Sequence, residues 1–445
     1  MGTQKSPRVA AMTLGCKVNQ YDTEALLETF AAHGFTIVEP DQEAEVYLIN
    51  TCTVTNIADK KSRQLIRKVI RTHPHAVVAA FGCYAQTQAE QLIKIPGLAI
   101  VLGTQNREQL VEIVTTALQE KHIIEPQNLV EPLRSPDFEE LAVSNFGSKV
   151  RAVLKVQEGC QQFCSYCKVP YARGPERSRS LGSVLNIATS LVEAGYKEIV
   201  LTGIHLAAYG ADLDPRSSLE EIVAQVVEIP GLQRLRLSSV EPTDVTDGLL
   251  QLMATHPKVC PHLHLPLQSG STTVLQRMRR KYTTTEYLAI VEKARDLIPD
   301  LAVTTDIIVG FPGETAAEFA ETLAFVETIG FSRLHVFPYS RRAGTPAAKM
   351  SNQLAKKVKE ERSQTLIRLG QHLAESFHRR YLGSRVQVLI EEVTGGVGTG
   401  YTENYIRVQA NLPRNYQESR SLTGEISTVL VNTVDFEGAM GEILC

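Results

Sequence analysis

Six of the eight cysteines fall into two triads, Cys16, Cys52 and Cys83 in the first and Cys160, Cys164 and Cys167 in the second. The second triad is a Cys-x3-Cys-x2-Cys loop, compact enough to place three thiolates around one iron–sulfur cluster. A four-iron cube with three protein sulfurs keeps one iron open to a substrate or cofactor, whereas a cluster that only carries electrons usually has four thiolates. The loop therefore points to an enzyme. Zinc is the weaker reading, because a tetrahedral site takes four N or S ligands and no second Cys pair or His pair lies near Cys167. Disulfides are weaker still. The chain opens MGTQKSPRV without an apolar h-region and has no apolar stretch long enough to span a bilayer, so a cytoplasmic protein with reduced thiols and no membrane partner is expected.

The elements that must position these sulfurs are legible in the hydrophobic pattern. Over residues 9–118 the apolar runs AAMTLGC, EVYLINTC, AVVAAFGC and LAIVLGT alternate with polar or amphipathic segments, the first helix-like over 22–33. This rhythm predicts βαβ units and an open parallel sheet. Cys16, Cys52 and Cys83 each end one of the runs, and the carboxyl ends of strands in such a sheet line one edge, where ligands bind. One cysteine at a strand end is an ordinary small core residue. Three at equivalent positions are harder to attribute to packing and read as a second three-thiolate site with a second open iron.

A polar, proline-containing stretch, 121–147, reads as a linker. Beyond it the strand–helix rhythm restarts in VRAVLKVQ, KEIVLTG, RLRLSS, HLHLPLQ, AVTTDIIVG and RLHVFPYS, with helical segments such as 182–194 and 316–329 between them. Six βα units predict a partial (β/α)6 barrel, too few for the closed eight-stranded form. Alternation puts His262, His264 and Gln268 on one face of their strand, Thr304 with Asp306 on another, and Arg236 with Ser238 on a third. Branched apolar side chains fill a barrel whose only task is packing, so a polar interior implies a ligand. Residues 351–380 read as a charged helical connector. After Tyr381, short β-rich runs with glycine turns predict a small β-barrel of a kind that often binds nucleic acid. The fold class is α/β, with expected boundaries of 6–119 for the open sheet, 120–146 for the linker, 147–376 for the partial barrel and 377–445 for the small barrel.

With 445 residues and 43% hydrophobic content, the chain can bury two or three cores and is neither disordered nor fibrous. A net charge of −3 carries no global signature of nucleic-acid binding, so such a partner would have to meet local basic patches. Two runs qualify. Lys60, Lys61, Arg63, Arg67, Lys68 and Arg71 follow Cys52 and bring Lys60, Arg63, Arg67 and Arg71 near one helical face; Arg277, Arg279, Arg280 and Lys281 form the second. For either run taken alone, a solvated helix face is the favoured reading.

With these residues in view, the chain resembles the methylthiotransferases of the radical S-adenosylmethionine (SAM) superfamily over nearly its whole length. The Cys160 loop, with Tyr166 before its last cysteine, is similar to the superfamily signature; LGCKVNQYD, NTCTVTNIADKKSR and FGCYAQ together resemble only the methylthiotransferases. The resemblance implies that Cys160, Cys164 and Cys167 hold a [4Fe–4S] cluster whose open iron chelates SAM and cleaves its sulfonium to a 5′-deoxyadenosyl radical. It implies that Cys16, Cys52 and Cys83 hold an auxiliary [4Fe–4S] cluster carrying the sulfur to be inserted, that both open irons face one cavity, and that the last module is a TRAM-like RNA-binding domain. HLHLPLQSGS, RMRRKYT, DIIVGFPGET and LHVFPYSRRAGTPAAKM look most like the branch acting on N6-threonylcarbamoyladenosine at position 37 of transfer RNA, giving its 2-methylthio derivative. An aromatic C2–H bond is inert to acid–base catalysis, so the implied reaction takes a radical that only a cofactor supplies. Implied partners are the tRNA anticodon stem-loop, an electron donor such as a flavodoxin or ferredoxin, and a sulfur source.

Tyr166, Gly203, Ser238, Glu241, Gln268, Asp306 and Gly310 are the candidate contacts to SAM or substrate. Tyr166 would lie along the adenine. Gly203 ends a strand where backbone can approach a ligand, but a plain turn explains it equally, and Thr202-Gly203-Ile204 departs from the superfamily's usual two glycines and an acid. Gly310 opens GFPGET, which resembles a loop contacting adenosine and on composition is a turn with Thr315 as a helix N-cap. Asp306 and Glu241 are candidate acids for ribose hydroxyls or substrate, set against ion pairs with neighbouring arginines. His262 and His264, with Cys260 beside them, lack an evident fourth metal ligand and read as substrate or SAM contacts, or as satisfied core histidines. Lys60, Arg63, Arg67 and Arg71, with Arg279 and Arg280, are expected to meet the RNA backbone. No catalytic side chain is assigned beyond the cluster ligands, and Cys445 reads as incidental. Competing readings are the same chemistry on isopentenyladenosine in tRNA or on a ribosomal protein aspartate, and a non-catalytic iron–sulfur or RNA-binding protein.

Overall fold

Every residue of VYLINT and VVAAFG is buried, as expected of parallel strands covered on both faces. The computed structural model describes residues 6–120, 126–133, 137–147, 149–413 and 422–444. Its first strands are β1 (Arg8–Thr13), β2 (Thr36–Ile37), β3 (Val46–Thr51), β4 (Val77–Gly82), β5 (Ile100–Leu102) and β6 (Gln127–Leu129). They form one parallel sheet in the order β2-β1-β3-β4-β5-β6. Helices α1 (Lys17–Ala32), α2 (Asn56–Thr72), α3 (Cys83–Leu92) and α4 (Gln109–Glu120) connect them. Strand alternation feeds two cores, Val9, Leu48 and Phe81 with Phe30 in one and Tyr47, Ile49 and Val78 with Ile66 in the other. The strand order reverses between β1 and β3, the topological switch point at which open α/β sheets bind ligands.

Two expectations change here. The helix expected over 22–33 begins earlier, at Lys17, so it starts directly after Cys16. The stretch expected to be a linker contains β6, with Gln127 opposite Ile100, and buries Leu141, Val143 and Phe146. An edge strand needs only one neighbour, and a polar, proline-rich composition conceals it.

Next come β7 (Ala152–Lys155), an antiparallel ribbon of β8 (Gln157–Glu158) with β9 (Arg177–Ser178), and, between those two, α5 (Val169–Arg173). The described residues divide into two compact units, and those of 155–180 and 340–348 fall with the N-terminal sheet in the first. The second unit takes 146–154, 181–339 and 349–444. Thus the Cys160 loop, read from sequence as the start of the barrel, packs with the first unit.

The second unit holds α6 (Leu181–Glu193), β10 (Glu198–Thr202), α7 (Leu219–Val226), β11 (Arg234–Leu237), α8 (Asp247–Thr255) and β12 (His262–His264). After them come α9 (Thr272–Arg277), α10 (Thr284–Leu297), β13 (Ala302–Val309), α11 (Ala316–Ile329) and β14 (Arg333–Pro338). Sheets β11-β10-β7 and β12-β13-β14 are joined by the parallel bridges Leu235–Val259 and Ser239–His264, giving the expected six-stranded partial barrel. Thr315 caps α11 as expected, its Oγ1 accepting from Glu318 N at 3.2 Å while Glu318 accepts from Thr315 N at 2.8 Å. After α12 (Pro346–Lys349) comes α13 (Lys356–Arg379), expected to be a connector. It packs on β14 instead, so closely that a Cβ on Gly370 would lie 3.0 Å from Leu334 Cδ1. Finally β15 (Arg385–Thr394), β16 (Val397–Thr402), β17 (Arg407–Asn411), β18 (Ile426–Val434) and β19 (Ala439–Ile443) close the expected small barrel in the order β15-β16-β17-β19-β18. No helix among the described residues is long and apolar enough to cross a membrane, and Cys445 lies outside the described residues.

Part of the polar interior proves structural. Arg236 pairs with Glu198 (Nε to Oε1 2.7 Å), donates to the carbonyl oxygens of Glu403 (2.8 Å) and Thr402 (3.2 Å), and stands 4.5 Å from the Tyr405 ring centroid. His262 stacks on the same ring at 4.9 Å. These residues dock the small barrel onto the strands; no ligand is needed to account for them. Because Glu198 is buried and its other ion-pair partner, Arg234, stands 3.9 Å away, Arg236→Met removes its close, hydrogen-bonded cation; it is expected to cost about 3 kcal/mol, read as a lower urea midpoint of the second unit by tyrosine fluorescence.

Candidate metal centre

Strands β1, β3 and β4 end at one edge of the sheet, and the first cysteine triad follows them directly. Cys16 is the N-cap of α1 and Cys83 the first residue of α3, so two of the sulfurs sit at helix N-termini, where partial positive charge favours anions. Cys16 Sγ and Cys83 Sγ lie 3.8 and 3.9 Å from Asn19 Oδ1. Gly15, at φ +112°, supplies the close approach to Cys52: a Cβ there would lie 3.1 Å from Cys52 Sγ. The three sulfurs therefore converge, with Cys16 exposed and Cys52 and Cys83 buried. Burial pushes the Cys52 thiol up to about 12 and raises that of Cys83, an effect that Arg173 opposes. Such thiols keep their protons at neutral pH until iron displaces them.

The second triad sits in a tight loop. Gly159, at φ +82°, admits Pro175, whose carbonyl oxygen would lie 1.7 Å from any Cβ at that position. Cys160 N–H donates to Gly174 O at 3.1 Å and Cys167 N–H to Cys164 O at 3.0 Å. Backbone N–H groups aim at the sulfurs, from Gln162 to Cys160 Sγ at 3.5 Å and from Val169 to Cys167 Sγ at 3.4 Å. None of the seven described cysteines is in a disulfide. Convergent thiols, a vacant Cβ position beside Cys52 and N–H donors onto Cys160 and Cys167 suit the residues of both triads to iron–sulfur clusters.

Side chains that sequence reasoning missed surround the sulfurs. Asn19 and Asp22 lie about one and two turns along α1 from Cys16, and Arg173 is the last residue of the short helix after Cys167. Asp22 and Glu158 are fully buried among Arg107, Lys155 and Arg173. Burial alone would raise both carboxyls; the three cations outweigh it and hold them below the usual carboxylate range. Segment 340–348 touches both cysteine loops: Arg342 Nη2 donates to Thr53 Oγ1 and pairs with Asp59, each at 2.7 Å, and Ala347 N–H donates to Ser165 O at 2.8 Å. The spacing of Asn19 and Asp22 after Cys16 was the one signal available beforehand.

The remaining candidates are placed as follows. Tyr166 is half-buried within the Cys160 loop. Gly203 and Ser238 directly follow β10 and β11, and Ser238 Oγ is buried without a hydrogen-bond partner among the described residues. Asp306 lies on β13 with Oδ2 3.5 Å from His264 Nε2, and Thr304 Oγ1 meets both His262 and His264, at 3.1 and 2.9 Å. Gln268 is corrected: β12 stops at His264, and Gln268 takes φ +66° beyond it, so strand alternation does not reach it. Glu241 and Arg280 pair with one another, which takes Arg280, with a side chain 4% exposed, out of the expected RNA surface, whereas Arg279 is exposed. Gly310 N–H donates to Glu314 Oε2 at 2.6 Å, and a Cβ there would meet Lys359 of α13 at 2.5 Å. On α2, Lys60, Arg67 and Arg71 are exposed, but Arg63 turns to the Tyr84 ring, 5.6 Å from its centroid.

The crowding at Gly15 makes a direct test. Gly15→Ala is expected to reduce the iron of anaerobically reconstituted protein from about eight to about four per chain, by loss of the first cluster alone, measured by iron and sulfide assay.

Comparison with known proteins agrees with this geometry. A model described as "Uncharacterized protein family UPF0004" matches residues 8–103, and one described as "Radical SAM superfamily" matches residues 154–326. The chain is 45% identical to the threonylcarbamoyladenosine tRNA methylthiotransferase MtaB of Bacillus subtilis, over 90% of this chain and 89% of that one. It is 35% identical to the tRNA-2-methylthio-N(6)-dimethylallyladenosine synthase of Acetivibrio thermocellus, over 99% of this chain and 92% of the relative. In fold it is similar to the radical SAM methyltransferase TsrM of Kitasatospora setae, with a TM-score of 0.57 at 14% identity, covering 88% of this chain and 77% of the other. The chain belongs to the methylthiotransferase family of the radical SAM superfamily.

Proposed function

We propose that the protein replaces the C2 hydrogen of N6-threonylcarbamoyladenosine, at position 37 of transfer RNA, by a thiomethyl group. The observation that carries the reading is the presence of two three-cysteine sets in one compact unit, with Arg173, six residues after Cys167, reaching Cys83 Sγ at 3.1 Å. Cys160, Cys164 and Cys167 are assigned to the SAM-binding cluster and Cys16, Cys52 and Cys83 to the auxiliary one. When bound, the two [4Fe–4S] clusters and SAM supply the radical chemistry and the sulfur that an inert aromatic C–H bond demands. The chain's own residues hold and shield these groups. Helix N-termini and N–H donors stabilise the anionic thiolates, and the closed packing of Asp22, Glu158 and their cations keeps water from the inner side of Cys83.

Gly203, Ser238, Gln268 and Asp306 are assigned to SAM or the base; the Ser238 hydroxyl, without a partner among the described residues, is the group that most wants a polar ligand. Threonylcarbamoyladenosine is favoured over dimethylallyladenosine as substrate because identity to the relative named for the former is 45%, against 35% for the latter. The exposed cations of α2, together with the TRAM-like C-terminal barrel, are assigned to the tRNA anticodon stem-loop, and the reaction draws on a flavodoxin- or ferredoxin-type electron donor and a sulfur source in the cytoplasm.

Nucleoside mass analysis of tRNA from deletion and complemented cells tests the function. The 2-methylthio derivative of threonylcarbamoyladenosine is expected to vanish and return, and loss of 2-methylthio-isopentenyladenosine instead would overturn the substrate. For the RNA path, Lys60→Gln, Arg67→Gln and Arg71→Gln combined are expected to weaken tRNA binding and lower the slope of log K against log salt by about 2, measured by filter binding at several salt concentrations.

A further inference from the structure

The charged side chains behind Cys83 do more than balance one another. Arg107 meets Asp22 at 2.6 Å; Lys155 meets Asp22 at 2.5 Å and Glu158 at 3.0 Å; Arg173 meets Asp22 at 2.8 Å and also pairs with Glu158. Glu139 closes the outer side of Arg107 at 2.5 Å. Arg177, also buried, donates to the Arg173 carbonyl at 2.9 Å. Beyond these ion pairs Arg173 reaches the sulfurs: its Nε lies 3.1 Å from Cys83 Sγ and its Nη2 2.6 Å from Asn19 Oδ1, the atom that also faces Cys16 Sγ and Cys83 Sγ.

We propose that Arg173 is a positioning residue of the auxiliary centre, which gives Cys83 Sγ a charge-assisted N–H···S hydrogen bond and thereby sets the reduction potential of the cluster. The inference rests on the assignment of Cys16, Cys52 and Cys83 made under the proposed function. A donor and a positive charge at a ligating sulfur favour the reduced, more negative state of a cluster and raise its potential. Arg173 ends the helix whose next residue, Gly174, accepts from Cys160 N–H, so the fold of the Cys160 loop determines where the guanidinium lies. A purely structural role would require only the pairing with Asp22 and Glu158.

The test uses the full chain with Cys160→Ala, Cys164→Ala and Cys167→Ala, reconstituted anaerobically so that one cluster remains, and titrated with dithionite and mediators under EPR. Arg173→Lys keeps the buried charge and withdraws the Nε donor; Arg173→Met with Glu158→Gln removes one charge of each sign. Each is expected to keep about four irons and to shift the midpoint to lower potential, by about tenfold in the reduction equilibrium, or about 59 mV for one electron. An unchanged midpoint in an iron-loaded variant overturns the proposal, and so does loss of the cluster from both variants, which would leave Arg173 only a support of the fold. A parent with Cys16, Cys52 and Cys83 that takes up no iron at all would sink the cluster assignment first, and this proposal with it.

Discussion

Two carboxylates, on Asp22 and Glu158, are buried to 1% exposure, and the fold of the first unit follows from the need to neutralise them. Asp22 rides on α1, Arg107 precedes α4, Lys155 ends β7 and Arg173 ends α5. An interior carboxylate deprived of its cation costs several kcal/mol, so none of these segments can leave without destabilising the others. This accounts for the grouping of residues 155–180 with the N-terminal sheet. It also brings the end of the Cys160 loop within hydrogen-bond reach of Cys83, through a single arginine.

The sheet supplies a complementary electrostatic device. Because β1, β3 and β4 are parallel neighbours, the helices that follow them all begin at one edge, and the sulfurs of Cys16 and Cys83 meet the positive ends of α1 and α3. Burial works against thiolate formation at Cys52 and Cys83, while helix ends, Arg173 and bound iron work for it. A glycine at position 15 leaves the room that such a group takes. In the second unit the same residue types serve a different end. Glu198, Arg236 and His262 face inward as strand alternation requires, yet their polar atoms and rings are taken up by Tyr405 and its neighbours, which seat the small barrel. Ser238, just past the carboxyl end of β11, has no hydrogen-bond partner among the described residues. Position along the strand, not polarity, separates docking residues from candidate ligand contacts.

Much of this was legible in the chain. Apolar runs ending in cysteine located β1, β3 and β4, the six barrel strands stood out by their period, and glycine-punctuated β-runs marked the closing barrel. Less legible was β6, whose three residues carry no strand pattern of their own. Gln268 was misplaced because parity holds only while a strand lasts. For Glu241 the sequence left open a ligand contact or an arginine ion pair, and for Arg280 it suggested RNA; the two lie 39 residues apart and neutralise one another. Lys60, Arg67 and Arg71 kept the exposed face assigned to them, while Arg63 found an aromatic neighbour that periodicity does not reveal.

The amino-acid sequence on its own determined which atoms are available for metal chemistry and which strand ends carry them, because ligand spacing and hydrophobic period are local properties of a chain. Only the tertiary structure decided what surrounds those sulfurs. Lys155 meets Asp22 across 133 residues and Arg173 meets it across 151. The choice among many possible cations at such separations is made by burial, which makes an unpaired charge intolerable only once the fold has removed the water.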